Sequence, residues 1–204
     1  MTAPGYLPLD LSPMVGREAE LEQARNLLAS VRMLTLTGPG GAGKTRLALR
    51  VAAQFQAVAT DGVWLIDLGT LRDPAACTPE RLYTEIALAL GIRHQMRTDL
   101  RVLLDHLRTR RVLLVLDNCE HMIVTTRACV MELLGAAPHV RVLATSRQAL
   151  AVDGEHTLIV PPLPMPHAIE LFEARATAAA GPNALAASDP RDVAALCRRL
   201  DGLP

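Results

Sequence analysis

The sequence has few aromatic residues, no net charge and no long apolar run. Aromatic residues make up 2% of the 204 residues, whereas hydrophobic residues make up 50%, so the core must be built from aliphatic side chains and alanine. With 21 basic and 21 acidic residues, the charge balance gives no general reason to expect binding to nucleic acid or to a membrane. No apolar run approaches the roughly 18 residues of a membrane span. Residues 1–13 also lack the basic and apolar regions of a signal peptide, so we expect a cytoplasmic protein.

The cysteines show no pattern of a disulfide framework or a zinc site. Cys77, Cys119, Cys129 and Cys197 contain no C-x-x-C pair and no disulfide-like spacing. Cys119, His121 and Cys129 are close in the chain, but their spacing matches no common zinc pattern. We therefore expect reduced and mostly buried thiols.

One glycine-rich stretch carries the strongest functional information. Residues 38–45 read GPGGAGKT, which fits G-x-x-x-x-G-K-[ST], the phosphate loop of nucleoside-triphosphate-binding proteins. A short apolar strand precedes it and a helical apolar pattern follows it, which is the context that the motif needs; without that context it would be a glycine-rich turn with no ligand. Glycines let the backbone close around phosphate oxygens, and the helix N-terminus adds its positive dipole. The residues predicted to bind the nucleotide here are Gly38, Pro39, Gly40, Gly41, Ala42, Gly43, Lys44, Thr45 and Arg46.

Lys44 is the only lysine among the 21 basic residues. Because the planar guanidinium of arginine does not replace a compact ammonium group, we expect Lys44 to be required for contact with the β- and γ-phosphates. Guanine-specific proteins carry an Asn/Thr-Lys-x-Asp motif, and no second lysine exists to build it. The sequence therefore favours ATP or ADP as the ligand, with Thr45 holding Mg²⁺.

Apolar strands alternating with amphipathic helices predict an α/β fold, the three-layer doubly wound parallel sheet of P-loop NTPases with about five strands. The predicted strands are residues 33–37, 63–68, 111–118, 140–145 and 156–160. A proline-rich stretch at 161–166 cannot continue a sheet, and the pattern beyond it is helical. We expect an extended segment at 1–13, a nucleotide-binding domain at 14–160 and a partial helical subdomain at 161–204, which looks truncated.

Asp117 follows four apolar residues of the third predicted strand and resembles the acidic residue of the second phosphate-site motif. At the end of a core strand its carboxylate can hold Mg²⁺ opposite Thr45; the alternative is a helix cap. Asn118 stands where many ATPases have a second carboxylate, and it cannot act as a base. Glu120 is either a substitute base or a solvated residue of a first helical turn. Arg147 is either a sensor of the γ-phosphate or an ordinary surface arginine.

Taken together, these pieces resemble the nucleotide-binding core of the STAND ATPases of the NB-ARC type, as in bacterial LuxR-like and SARP-like transcriptional regulators. The resemblance runs from about Met14 to Pro204, and the matching residues are 15–18, 38–45, 113–121, 144–147 and 202–204. It implies that Val15 and Arg17 contact the adenine end of the nucleotide and that Pro204 packs against the base from the other side. It also implies a switch between two states. ADP holds the two domains closed, and exchange of ADP for ATP opens them and permits self-association.

The resemblance implies an ATP/ADP-binding switch module of a larger transcriptional regulator, with slow or no ATP hydrolysis. Its partners would be the adenine nucleotide, other domains of the regulator, or another copy of the chain. No helix-turn-helix is recognisable in this segment, so we expect no direct DNA binding by it. The alternatives are a self-sufficient P-loop enzyme, such as an ATP-driven motor or phosphotransferase, and a truncated fragment that binds nucleotide weakly.

Overall fold

The computed structural model describes residues 5–8, 13–71, 77–92, 100–182, 184 and 189–204; residues 1–4 and 9–12 of the predicted extended segment lie outside these ranges. The strands of the described chain are β1 (Gly5–Tyr6), β2 (Met33–Thr37), β3 (Val63–Asp67), β4 (Leu113–Asp117), β5 (Arg141–Ser146) and β6 (His156–Ile159). The α-helices there are α1 (Glu18–Ser30), α2 (Lys44–Phe55), α3 (Pro79–Ala89), α4 (Leu100–Leu107), α5 (Ile123–Ala136), α6 (Met165–Ala180) and α7 (Pro190–Arg199).

All six strands pair in parallel in one sheet, in the order β1-β3-β4-β5-β2-β6. This confirms the predicted doubly wound parallel sheet, to which the two-residue β1 adds a sixth strand at one edge. The strand β4 is shorter than predicted at both ends. The predicted first two residues, 111 and 112, lie outside the strand, where the Arg111 backbone N–H bonds to the Asp61 carboxylate at 2.8 Å. It ends because Asn118 takes a left-handed conformation with φ of 61°.

Helices cover both faces of the sheet, as the unbroken apolar strands predict. Alternate residues of β4 enter opposite cores: Leu113 and Val115 pack with the residues of α1 and α2, while Leu114 and Leu116 pack with those of α3, α4 and α5. Every residue of β2 and β4 is buried. The central strands are therefore held rigidly from both sides, and their carboxyl ends are fixed positions for functional side chains.

The helices α6 and α7 form a small core of their own with the segment that follows the sheet. Asp189 caps α7 by accepting a hydrogen bond from the Arg191 backbone at 2.8 Å, next to a proline at the tolerated first position. Gly202 joins the end of α7 to that segment: its carbonyl accepts from the Leu163 N–H at 2.9 Å. With φ of 67°, and with only 2.4 Å between a would-be Cβ and the Leu163 carbonyl oxygen, the position needs glycine. Among the described residues, no helix is long and apolar enough to cross a membrane.

Candidate functional site

The glycine-rich loop joins the carboxyl end of β2 to the first residue of α2. Gly38, Gly41 and Gly43 have φ of 150°, 79° and 87°, a region that side chains disfavour. A Cβ on Gly38 would lie 2.3 Å from the Val160 carbonyl oxygen. The loop is thus pressed onto the end of the sheet, and it leads into the N-terminus of α2, whose first N–H groups have no partners within the helix. This backbone geometry suits a polyphosphate anion.

The Lys44 side chain curls back along the loop. Its ammonium group donates to the carbonyl oxygens of Gly38 at 3.0 Å and Pro39 at 2.8 Å. Only 8% of the residue is exposed. Burial lowers the pKa of Lys44, while the nearby carboxylates of Glu120 and Asp117 act in the opposite direction. The chain's one lysine is therefore held at the mouth of the loop, with negative groups beside it.

Asp117, at the end of β4, is the centre of a hydroxyl cluster. It is 4% exposed, and its two carboxylate oxygens lie 2.8 and 3.0 Å from the Thr45 hydroxyl at the start of α2. The Thr145 hydroxyl on β5 also donates to it. Burial raises the pKa of Asp117, and the hydrogen bonds from Thr145 and Thr45 partly oppose that rise. The structure thus brings together the two predicted metal ligands, whose hard oxygen atoms are the kind that Mg²⁺ prefers.

The sequence does not predict the roles of two residues in this cluster. Thr145 belongs to a predicted strand and to the stretch 144–147 of the family resemblance, without a role of its own. Asp67, the last residue of β3, has no role in the sequence-based prediction. The Asp67 carboxylate accepts from the Asn118 side-chain amide at 3.0 Å. Its backbone is the register partner of Asp117. The signal was available, because β3 and β4 are both apolar runs that end in aspartate, and parallel strands bring their carboxyl ends to one edge.

Glu120 and Arg147 lie at the rim of the same site. The Arg147 Nε atom is 3.5 Å from one Glu120 carboxylate oxygen. The other oxygen of Glu120 is buried and has no hydrogen-bond partner among the described residues. Both residues line a cavity of about 710 Å³ with Lys44, Thr45 and Asn118. The structure therefore places both candidate catalytic residues at the cavity, paired with each other, and their roles stay predictions.

The residues predicted to bind adenine lie on the far side of the loop. The Arg17 side chain is 5% exposed and its guanidinium donates to the Ala42 carbonyl at 3.1 Å and to the Pro161 carbonyl. A salt bridge to Glu20 at 2.8 Å completes its contacts. Arg17 thus ties the start of α1 to the loop and to the segment after the sheet. Its predicted contact with the base stays a prediction.

Val15 and Pro204 both line a small cavity of about 40 Å³ beside the loop, which Arg46 also lines. A Cβ on Gly43 would lie 3.6 Å from Pro204, and one on Gly41 would lie 3.9 Å from Leu203. The end of the described chain therefore rests on the loop itself. A larger, mostly apolar cavity of about 430 Å³ continues between the loop and the helices α6 and α7.

The cysteines lie apart from this chemistry. Cys119, Cys129 and Cys197 are buried and Cys77 partly so, which confirms the prediction of mostly buried thiols. Burial raises the pKa of Cys119 and Cys129, so both pack as neutral apolar groups. Within the part of the chain that the structure describes, no group of three His, Cys, Asp or Glu residues could hold a metal ion.

Comparison with known sequences adds a family and named relatives. A family model described as an AAA domain matches residues 29–155. An uncharacterized protein of Mycobacterium tuberculosis is 40% identical over 195 residues, which cover 95% of this chain and 49% of that protein. A putative HTH-type transcriptional regulator of the same organism is 38% identical over 88% of this chain and 20% of its own length. The chain thus spans about half, or less, of the relatives it matches.

Comparison with solved structures agrees on the fold. The Walker-type ATPase of Pyrococcus abyssi superposes with a TM-score of 0.64 at 14% identity, over 96% of this chain and 67% of that one. A signal transduction ATPase with numerous domains (STAND) from Pyrococcus horikoshii, with a tetratricopeptide repeat sensor, superposes with a TM-score of 0.59 at 16% identity. That match covers 100% of this chain and 30% of the other. At these identities the likeness establishes the P-loop α/β fold.

Proposed function

The chain belongs to the AAA domain family, and from that premise we propose that it is the ATP/ADP-binding switch module of a bacterial transcriptional regulator of the NB-ARC type. The observation that carries the proposal is the hydrogen bonding of Thr45 to Asp117 beside Lys44 at the mouth of the loop. These groups belong to the start of α2 and the end of β4, and the fold alone brings them together. A hydroxyl, a carboxylate and an ammonium group in this arrangement suit a magnesium-bound polyphosphate.

In the bound state the loop amides and Lys44 would hold the phosphates, while Thr45 and Asp117 would hold Mg²⁺. The ion would supply charge neutralisation at the β- and γ-phosphates. Its arrival would also offset the burial that raises the pKa of Asp117, because a cation favours the ionised carboxylate. Adenine is preferred over guanine because the only lysine is committed to the loop.

The switch would depend on the contact between the loop and the helical segment. We divide the chain into a nucleotide-binding domain at 14–160 and a helical subdomain at 161–204, with the adenine ring near Val15, Arg17 and Pro204. Because Leu203 and Pro204 rest on the loop, a nucleotide bound there would touch both parts at once. A ligand that fits this closed arrangement better than an open one would shift the population toward it.

Hydrolysis is proposed to be slow. The residue after Asp117 is Asn118, an amide that cannot accept a proton. Glu120 has a salt-bridge partner in Arg147 at 3.5 Å, and this pairing, which occupies one of its two oxygen atoms, is proposed to limit its use as a base. Arg147 is proposed to move toward the γ-phosphate when ATP is bound. The matched regulator is much longer than this chain, and it is named as an HTH-type transcriptional regulator. Both facts support a role within a larger protein, in which the nucleotide-binding segment would act on other domains or on a second copy.

Native mass spectrometry of the purified chain tests this function directly. We expect one ADP or ATP per chain, and we expect Mg·ATP and ADP, but not GTP, to raise the melting temperature. The absence of bound nucleotide together with no shift for any adenine nucleotide would contradict the proposal. Rapid multiple turnover that a second substrate stimulates would instead favour a self-sufficient P-loop enzyme.

A further inference from the structure

The Asn118 side chain bridges two carboxylates. Its Nδ2 atom lies 3.0 Å from Asp67 Oδ1 and 3.0 Å from Asp117 Oδ2. An amide nitrogen carries two N–H groups, and an amide oxygen carries none. Only the nitrogen can therefore face both carboxylates, which fixes the orientation of this amide by its chemistry.

That orientation determines what Asn118 presents to the cavity. Both N–H groups are committed to Asp67 and Asp117, so the amide oxygen is the one side-chain polar atom left for a ligand. Asn118 lines the cavity together with Lys44, Thr45 and Glu120. The side chain is thus an obligatory hydrogen-bond acceptor beside the proposed metal and γ-phosphate positions.

Asp67 is well placed to enforce this arrangement. Its backbone is fixed as the register partner of Asp117 in the sheet. The Gly69 N–H donates to its Oδ1 atom at 2.8 Å, and that atom is the acceptor for Asn118 as well. A Cβ on Gly69 would lie 3.0 Å from both Asn118 Nδ2 and Asp67 Oδ1, so the turn closes tightly over the bridge. The positive φ of Asn118 aims its side chain back into this turn.

We propose that Asp67 is a positioning residue that holds the Asn118 amide oxygen toward the cavity, where it accepts a hydrogen bond from a water molecule of the Mg²⁺ or γ-phosphate shell. Asp67 itself does not line the cavity and acts through Asn118. Since an amide oxygen orients water without taking its proton, this arrangement serves binding of Mg·ATP more than its hydrolysis. The inference rests on the proposed function, because it assigns a role within the same nucleotide site.

A double-mutant cycle on the full chain tests the inference, with a non-hydrolysable Mg·ATP analogue and Mg²⁺-free ADP as the two probes in calorimetry. We expect Asp67→Ala to weaken binding of the Mg·ATP analogue by about threefold, which is the scale of one exposed hydrogen bond. The affinity for Mg²⁺-free ADP should stay unchanged. In an Asn118→Ala background the same change should have no further effect. Asp67→Asn keeps an acceptor oxygen and should retain most of the affinity.

The matched control is Asp61→Ala. It removes a carboxylate that precedes the other end of β3 and bonds to the Arg111 backbone, and it should leave both affinities unchanged.

Two results would overturn the inference: a loss from Asp67→Ala that is equal in both backgrounds, or no loss in either. A wild-type chain that binds neither probe would instead show that the proposed function itself is wrong. In that case the same cycle, measured by urea unfolding, shows whether the bridge stabilises the fold. A coupling between Asp67 and Asn118 in the free energy of unfolding alone would make the bridge purely structural.

Discussion

Replacing Lys44 by methionine keeps an unbranched side chain and removes the ammonium group. In the nucleotide-free chain the change deletes two hydrogen bonds, to carbonyl oxygens at 3.0 and 2.8 Å. Hydrogen bonds from charged groups each stabilise a fold by about 1.5–3 kcal/mol. The variant also avoids the free-energy cost of burying the ammonium charge, which partly offsets the loss of these bonds. We expect a net decrease of about 1–2 kcal/mol in the free energy of unfolding. For a chain of this size that corresponds to a fall in melting temperature of about 2–8 °C.

The effect on nucleotide binding should be larger than the effect on stability. A charge-assisted contact to the β- and γ-phosphates, worth about 3 kcal/mol, corresponds to roughly a hundredfold in affinity. At an ATP concentration of about 100 times the wild-type dissociation constant, the wild type should gain about 2.7 kcal/mol of stability. The variant should gain only about 0.4 kcal/mol, because its dissociation constant then roughly equals the ATP concentration.

Thermal unfolding with and without Mg·ATP, supported by calorimetric titration, measures both quantities. The control is Arg25→Met, which removes a cation whose side chain is 53% exposed and lies 4.0 Å from the exposed Glu22 carboxylate. It should change neither the melting temperature nor the ATP-induced shift by a measurable amount. A Lys44→Met variant that keeps the full ATP-induced shift would refute the reasoning, since its premise is that the ammonium pairs with phosphate.

Three further changes test other parts of the structure. Asp117→Asn should weaken Mg²⁺-dependent ATP binding by about tenfold and Mg²⁺-free ADP binding much less, because the carboxylate acts through the ion; equal losses in calorimetry would mean a structural role. Gly202→Ala and Gly91→Ala both place alanine at positive φ, 67° and 72°, but only the former puts a Cβ 2.4 Å from the Leu163 carbonyl oxygen. Gly202→Ala should therefore lower the free energy of unfolding in urea by at least about 1 kcal/mol more than Gly91→Ala, and equal effects would show that the close approach is unimportant. Burial raises the pKa of Tyr83 to about 12 from its ordinary 10.0, so the free energy of unfolding should fall as the pH rises from 10 to 12. Tyr83→Phe should lose this part of the pH dependence of stability, and a variant with the wild-type pH dependence would contradict the prediction.

The loop could be predicted from sequence because its chemistry is local. Eight consecutive residues with correct flanks specify a strand, a glycine turn and a helix start, and the structure has all three in those places. Much of the sheet was predictable for a similar reason: β2 to β5 are mostly apolar runs, and stretches of helical spacing separate them. Among the strands of the described residues, the short β1 was missed, since two residues carry no periodicity.

The rest of the candidate site depends on which strands are neighbours. Asp67 and Thr145 are far from Asp117 and Asn118 in the chain, and they meet this pair only because β3, β4 and β5 are adjacent and in register. The sequence indicates that Asp67 and Asp117 lie at the same edge of the sheet, but strand order is a tertiary property. The hydrogen bonds from Thr145 to Asp117 and from Asn118 to Asp67 therefore follow only from the folded structure. Arg17 shows the same limit. Its contacts to the Ala42 and Pro161 carbonyls depend on how the start of α1 and the segment after β6 pack against the loop.

The size of the helical core bears on how a switch would work. Among the described residues its buried set is Leu163, Ala168, Val193 and Cys197, whereas the two faces of the sheet bury far larger sets. Since local stability follows buried apolar contact, α6 and α7 are expected to open at a lower free energy than the sheet. Leu203 and Pro204, which follow α7, nevertheless rest on the glycines that would hold phosphate. A nucleotide that adds contacts to both sides of this weakly held junction needs only a modest difference in affinity between the two arrangements to change which one predominates.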